Sequence, residues 1–425
     1  MDNLVGMKDH KDVMGSGNLF GFEKWLVCKQ MIRLGSPPVR LAVGSGSAAY
    51  SPPGRAVGSV RVRDRKTLLQ LAIHPELCFG DAYSEGRIEV QGDLIEVLRS
   101  VFACMAKAHT GGRLSTSSAG FLGRPRLNTL CRSRRNIHHH YDIGNDFYRL
   151  WLDDRMQYTC AYFPSPDATL EEAQVAKMDH VCRKLMLRPG ERVVEAGCGW
   201  GGLALHMAKR YGVTVTAYNI SGEQIKCARE RAKTEGLDDR VEYIEDDYRS
   251  IQGTYDVFVS VGMLEHVGAG HYRELGRVID RSLKEGGRGL IHSIGRNRAE
   301  LMNAWIERRI FPGSYCPTPR EMMEIFEPLG FSVLDVENLR LHYARTLEHW
   351  LERFEKAKDR IATMFDEKFI RTWRLYLAGS VAAFAAGHLQ LFQVVFARPD
   401  KNDLPWTRAH LYAAAGGSRT GHARL

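Results

Sequence analysis

A glycine loop and the pattern that follows it constrain this chain more than any other feature. From Arg192 the sequence reads RVVEAGCGWGG, an apolar strand running straight into a glycine-rich turn and then a helix, GLALHMAKRYG. Gly197, Gly199 and Gly201 allow a tight turn and a close approach of backbone to ligand. Strand-like and helix-like text then alternates: VTVTAYNI, SGEQIKCARERAKTEG, VEYIED, YDVFVSVG, HYRELGRVIDRSLKEGG and RGLIHSIG. Such β-α-β repetition requires an α/β fold, with a mainly parallel sheet covered by helices on both faces. Residues 296–329 read as an insertion. FSVLDVENL resumes as a strand, two helices follow, and LQLFQVVFA closes the sheet.

Open α/β sheets bind ligands at the carboxyl ends of their strands, where this loop lies. Gly197, Gly199 and Gly202 also satisfy G-x-G-x-x-G, so spacing alone leaves a nicotinamide enzyme standing. Two features tilt the choice toward S-adenosylmethionine. Glu195 precedes the turn, where it can meet the cofactor's amino group. The second strand ends in Asn219-Ile220-Ser221 and lacks the acid expected for an NAD ribose.

Composition narrows the partners. A length of 425 residues suggests two or three domains. The net charge of +9 favours nucleic acid, a phospholipid surface or an acidic metabolite, and its sign does not choose among them. The nine cysteines form no CxxC pair, which indicates a reduced set. The N-terminus has no secretory signal pattern. Residues Leu375 to Ala397 carry no charge and are long enough to span a bilayer. Gly387, His388, Gln390 and Gln393 interrupt the run, so it reads as a core helix and a core strand, with a membrane span as the alternative.

Residues 1–65, rich in Gly, Ser and Pro, read as irregular, with room for a few short strands. Residues 66–110 read as a small domain with its start left open toward earlier residues: DRKTLLQLAIHPEL is helical, Gly80 to Gly92 is helix, turn and strand, and Asp93 caps an amphipathic helix. Residues 111–136 form a linker with six arginines, worth about 1 kcal/mol each at an anionic membrane, or else simply solvated. A catalytic domain over 137–400 and a flexible tail over 401–425 complete the expectation.

Several ordered segments together resemble the cyclopropane-fatty-acyl-phospholipid synthase family, which includes the mycolic acid cyclopropane synthases. They are HYDIGNDFYRLWLDDRMQYTCAYF from His140, LEEAQVAKMDHVCRKLMLRPGERVVEAGCGWGG from Leu170, SVGMLEHVG from Ser260, LIHSIG from Leu290, IFPGSYCPT from Ile310 and LHYARTLEHWLERF from Leu341. FGDAYSEGRIEVQGDLIEVL from Phe79 resembles the family's smaller N-terminal domain more loosely. The resemblance implies a Rossmann-like class I methyltransferase with a seven-stranded sheet, plus that N-terminal domain as a lipid-docking unit. It implies methyl transfer from S-adenosylmethionine to a cis double bond of a phospholipid acyl chain, with ring closure and bicarbonate as proton acceptor.

The same resemblance implies site residues. Cys160, Glu265, His292, Ile294 and Tyr343 match the family's bicarbonate site. Tyr141, Tyr158, Thr159, Glu195, Ala196, Gly197, Cys198, Gly199, Trp200, Gly201, Asn219, Ile220, Ser221, Gln224, Asp247 and Tyr248 match its cofactor site. Ser380 stands where the family often has a cysteine, and Glu195 replaces the usual Asp. The implied partners are an anionic phospholipid bilayer and an unsaturated acyl chain, not nucleic acid. The implied location is cytoplasmic, peripheral at the inner membrane face, with a homodimer left open.

Each residue also has a plainer reading. Cys160 can be a buried hydrophobe, His292 a satisfied core histidine, Glu265 a helix-dipole acid, Tyr343 packing and Ser380 a small helix residue. Trp200 is either a lid on the cofactor loop or packing. Consecutive His138 to His140 point in different directions, and no zinc-like spacing occurs elsewhere, so no metal is expected. Three rival functions stay open: a methylene or methyl-branched product, a small-molecule methyltransferase, and a non-catalytic lipid binder.

Overall fold

A computed structural model describes residues 21–44, 48–110 and 143–412. The chain divides into two compact units, 1–114 and 115–425. The linker 111–136, Tyr141 and His138 to His140 lie outside the described residues.

The first unit corrects the irregular reading of residues 1–65. Helix α1 (Gly21–Arg33) and strands β1 (Val39–Val43), β2 (Ala48–Tyr50) and β3 (Gly58–Val62) precede α2 (Arg65–Ile73), α3 (Pro75–Ser84), β4 (Ile88–Gln91) and α4 (Leu94–Thr110). The strands pair in the order β2-β1-β3-β4, so the Gly/Pro-rich text forms the turns of a sheet. Burial of Val39, Val60, Val62 and Ile88 supplies its core. Asp64 caps α2 by accepting the Thr67 N–H at 2.8 Å. Asp93 caps α4 through the Glu96 N–H at 3.0 Å.

The second unit holds the expected seven-stranded sheet. Its elements are α5 (Leu170–Lys184), β5 (Arg192–Ala196), α6 (Gly202–Tyr211), β6 (Thr214–Asn219), α7 (Gly222–Thr234), β7 (Val241–Glu245), β8 (Tyr255–Val261), α8 (Tyr272–Ser282), β9 (Leu283–Gly295), β10 (Ser332–Asn338), α9 (Arg340–Lys356), α10 (Glu367–Ala385) and β11 (Gln390–Ala397). The order is β10-β11-β9-β8-β5-β6-β7. The pairs β5–β6, β5–β8, β6–β7 and β8–β9 are parallel; β11 runs antiparallel to both β9 and β10.

Alternation along β5 explains the two cores. Val193 packs with Val215, Val257, Leu203 and Met207 on one face. Val194 and Ala196 pack with Phe258, Ile291, Leu275 and Ile279 on the other. Strand order reverses at β5, which lies between β8 and β6. A crevice therefore opens at their carboxyl ends, where Gly197 begins the loop.

Two boundaries differ from expectation. The helix from His271 stops at Ser282, because Leu283 already pairs with Tyr255 on β8 and LKEGG joins the strand. Residues 401–412 are not a loose tail: Leu411 is buried, and its carbonyl accepts Arg183 Nη1 at 2.9 Å. The uncharged run from Leu375 divides into the end of α10 and β11, and no helix among the described residues is long and apolar enough to cross a membrane.

Candidate active site

The glycine loop is built for close approach. Gly197, Gly199 and Gly201 have φ of +85°, +53° and +79°, a region costly for side chains. A Cβ on Gly201 would meet the Tyr243 hydroxyl at 2.4 Å, whereas one on Gly199 would meet nothing within 4 Å. The space at Gly199 is open, which leaves room for a ligand to approach the loop backbone.

Glu195, at the end of β5, is 2% exposed, and its Oε2 has no hydrogen-bond partner. Burial raises its pKa to about 8, against the opposing pull of Lys177. A buried, unpaired carboxyl fits a cationic amino group that is still to arrive. Asn219 accepts the Ile220 N–H at 2.9 Å and donates to Gln224 Oε1 at 2.8 Å, which braces the end of β6. Ser221 caps α7 by accepting the Gln224 N–H, and Ala196, Cys198 and Gln224 are all buried. Asp247 accepts from Arg249 at 3.0 Å and caps the turn that carries Tyr248. Tyr248 is buried with its hydroxyl unpaired.

Trp200 is held in packing contacts just before the helix that follows the loop. It is 2% exposed, donates to Asn145 Oδ1 at 2.7 Å and lies 5.0 Å from the Tyr148 ring.

The second group gathers at the carboxyl ends of β8 and β9. Val261 pairs with His292, and Gly262 donates to the His292 carbonyl. Glu265 Oε1 accepts the Ile294 N–H at 2.6 Å, while Oε2 is buried and unpaired. Burial raises the Glu265 pKa to about 7, so the carboxyl can carry a proton near neutrality. His292 is 1% exposed, and burial, with smaller pressure from Lys177 and Lys184, lowers its pKa to about 3. Its Nδ1 meets Gln393 Nε2 at 3.0 Å; with the amide as donor, the neutral ring carries its proton on Nε2.

Cys160 and Tyr343 join this group through the backbone. Leu391, opposite Ile294 in the sheet, accepts the Leu339 N–H. The Leu339 carbonyl receives the Tyr343 N–H at 3.2 Å, with Cys160 Sγ at 4.0 Å. Cys160 is fully buried, its thiol donates to the Ala161 carbonyl, and burial pushes its pKa up. Its side chain is therefore inert, and only its backbone is suited to a site role. Ser380 lies on α10 one turn beyond Tyr376, and among the described residues no hydrogen bond ties it to Cys160, Glu265 or His292.

A wall of packed aromatic rings links Tyr158 to Tyr343. Tyr158 lies 5.3 Å from Trp350 and 5.3 Å from Trp151, and Trp350 lies 6.0 Å from Tyr343. The Tyr158 and Tyr376 hydroxyls are 2.8 Å apart. Such a wall excludes water and presents electron-rich faces to a cation.

Sequence motifs alone do not single out Lys177. It is 1% exposed and donates to Gln157 Oε1 at 2.7 Å and Thr159 Oγ1 at 2.9 Å, and burial lowers its pKa to about 8. A signal existed: α5 buries Ala173, Gln174, Lys177, Met178 and Val181, so the lysine sits on the apolar face of its helix. Trp350 was equally findable, seven residues after Tyr343 on one helical face.

Comparison with known proteins identifies the family. Residues 128–394 match the family model described as mycolic acid cyclopropane synthetase. The chain belongs to this family. It is 38% identical over 387 residues to a probable fatty acid methyltransferase of Pseudomonas putida, covering 88% of this chain and 96% of that one. It is 39% identical over 357 residues to the cyclopropane-fatty-acyl-phospholipid synthase of Escherichia coli K12, covering 83% and 91%. The structure of mycolic acid cyclopropane synthase CmaA1 complexed with SAH and CTAB superposes with a TM-score of 0.60 at 29% identity, covering 62% of this chain and 98% of that one. With family membership come the class I fold, an S-adenosylmethionine-dependent methyltransferase activity and lipid modification, and the dehydrogenase and non-catalytic readings fall.

Proposed function

We propose that this enzyme methylates a cis double bond in a phospholipid-bound unsaturated acyl chain and closes a cyclopropane, with bicarbonate as proton acceptor. The observation that carries the reading is that Glu265, buried and half-satisfied, is tied to the Ile294 N–H on the same strand end that carries a neutral His292 two residues earlier. S-adenosylmethionine, held by the glycine loop and Glu195, supplies an electrophilic methyl group. Bicarbonate at the second group would supply a base for the proton lost on ring closure.

The chain's own residues do the rest. Glu265 in its acid form has an O–H to donate from the oxygen that lacks a partner, so it can sit beside an anion without repulsion. The Nε2–H of His292 and the backbone at Cys160 and Ile294 offer neutral polar contacts. The Tyr343 ring and the Trp350 wall keep water from a cationic acyl chain. The positive charge and the basic linker suit an anionic bilayer at the cytoplasmic face.

A second reading has support in the relatives, since a fatty acid methyltransferase and a cyclopropane synthase are almost equally similar. The same cation would then shift a hydride and lose a proton to leave a methylene, which a separate reductase would have to reduce to give a methyl branch. Purified protein incubated with S-adenosylmethionine and unsaturated phospholipid vesicles should add one CH₂ to each modified chain by mass spectrometry. Proton NMR should show the upfield ring protons of a cyclopropane. Unmodified lipid from folded, cofactor-bound protein defeats the proposal, and an exocyclic alkene favours the second reading.

A further inference from the structure

Helix α1 is apolar on two sides, and only one is used. Val27 and Met31 face the small sheet unit and are buried. Phe22, Trp25 and Ile32 point the other way and are 64%, 54% and 67% exposed. With Lys29 they occupy positions i, i+3, i+7 and i+10, a single stripe of the helix. Phe22 stacks on Trp25 at 5.9 Å, and Lys29 Nζ sits 4.8 Å over the Trp25 ring. Lys24 and Arg33 are exposed on the same helix, whose acid Glu23 is buried and paired with Arg65. Helix α2, joined to α1 by Gln30 Nε2 on the Ala72 carbonyl, exposes Leu69 and Ile73.

We propose that the outer face of α1 is a membrane-docking surface that lies in the headgroup region of an anionic phospholipid bilayer. The proposal rests on the phospholipid reading above and specifies the part of the chain that finds the lipid. Charge and ring chemistry choose this occupant. Trp and Phe flanked by Lys and Arg match an interface with apolar depth and a negatively charged surface. An apolar protein partner would not call for cations among the rings. Both rings are exposed, so removing them leaves the core of the unit intact.

The test is flotation of the full-length protein with phosphatidylglycerol-containing vesicles and with pure phosphatidylcholine vesicles, alongside sedimentation velocity. Phe22→Ser/Trp25→Ser should lower partitioning onto the anionic vesicles about tenfold, and Lys24→Glu/Lys29→Glu should lower it and flatten its salt dependence. Trp25→Phe should retain most of the binding. Turnover of a detergent-dispersed unsaturated phospholipid should be unchanged in Phe22→Ser/Trp25→Ser, so a failure of docking is separable from a failure of the catalytic reading. Unaltered vesicle binding in both double variants overturns the proposal. A changed oligomeric state with vesicle binding intact also overturns it and assigns the face to a second copy. Vesicle binding that appears only after removal of residues 1–20 overturns it in favour of that segment.

Discussion

Glu265 accepts the backbone N–H of Ile294 at 2.6 Å through one carboxyl oxygen and holds the other buried without a partner. The first contact sets the side chain's orientation and the second leaves a position for a ligand. Glu265→Gln keeps the shape and an acceptor for Ile294 but replaces the acid with an amide. Turnover should fall about 10²-fold or more, with S-adenosylmethionine affinity little changed. Single-turnover transfer of labelled methyl to vesicle lipid measures the first, and calorimetry the second.

The two raised carboxyls make the free enzyme's stability pH-dependent. Glu195 and Glu265 shift from 4.5 to about 8 and about 7, so between those values the folded state binds more protons than the unfolded state. Stability from these groups is therefore lost as pH rises from about 4.5 through 7 to 8. Below about pH 6.5 the depressed imidazoles of His292 and His266 act in the opposite sense, so the carboxyls are read above it: thermal melts from about pH 6.5 to pH 8 should show a falling Tm, and Glu265→Gln should reduce the fall. A Tm that climbs across this range contradicts the burial argument.

Cofactor binding should release a proton for the same reason. Near pH 7 the Glu195 carboxyl is mostly protonated. A cationic amino group beside it favours the carboxylate, so the proton leaves on binding. Titration calorimetry in buffers of different ionisation enthalpy should give close to one proton released near pH 7 and far less above about pH 9. Glu195→Gln should abolish the release.

The fold was largely legible because its signals are local. The β5 strand, the glycine turn and the cap at Asp93 each follow from a few neighbouring residues. The first unit was less legible. Its strands are five residues or shorter and lie among Gly and Pro, so period-2 alternation has no length in which to show. In the site, Glu265 and His292 were found by resemblance, because alone each suits a structural role. Lys177 was missed because its partners Gln157 and Thr159 approach it only through tertiary packing.

Lys177 has a positioning role that can be measured. Its ammonium holds Gln157 and Thr159, the two neighbours of Tyr158 in the chain, and lies close enough to Glu195 to lower that group's pKa. Lys177→Met leaves the buried Gln157 acceptor unpaired, at about 1–3 kcal/mol, and removes a donor from the half-buried Thr159 hydroxyl. Tm should drop, and KM for S-adenosylmethionine should rise about tenfold with kcat changed far less. A structural role alone would lower Tm but leave the proton release at Glu195 unmoved; Lys177→Met should shift that release to higher pH.

The glycines should separate fold from ligand. Gly201→Ala puts a methyl 2.4 Å from the Tyr243 hydroxyl at φ +79°, so it should destabilise the protein by about 2 kcal/mol or more. Gly199→Ala has the same kind of backbone cost but no neighbour within 4 Å. It should melt closer to wild type yet bind the cofactor at least tenfold more weakly. Equal melting losses with equal affinities would mean that the space at Gly199 is not where the ligand lies.

Ser380 tests whether the chemistry needs a thiol. It sits half-buried on α10 with no hydrogen bond to the Glu265–His292 group among the described residues. A proton acceptor held by that group makes a nucleophilic side chain on α10 unnecessary. Ser380→Cys, a small change in volume, should therefore leave turnover within about threefold of wild type. A thiol reagent should inactivate the variant only by bulk, with a rate that does not follow activity across pH. A gain of tenfold or more, titrating with the new thiolate, would show that the α10 position takes part directly and that Glu265 and His292 are not sufficient.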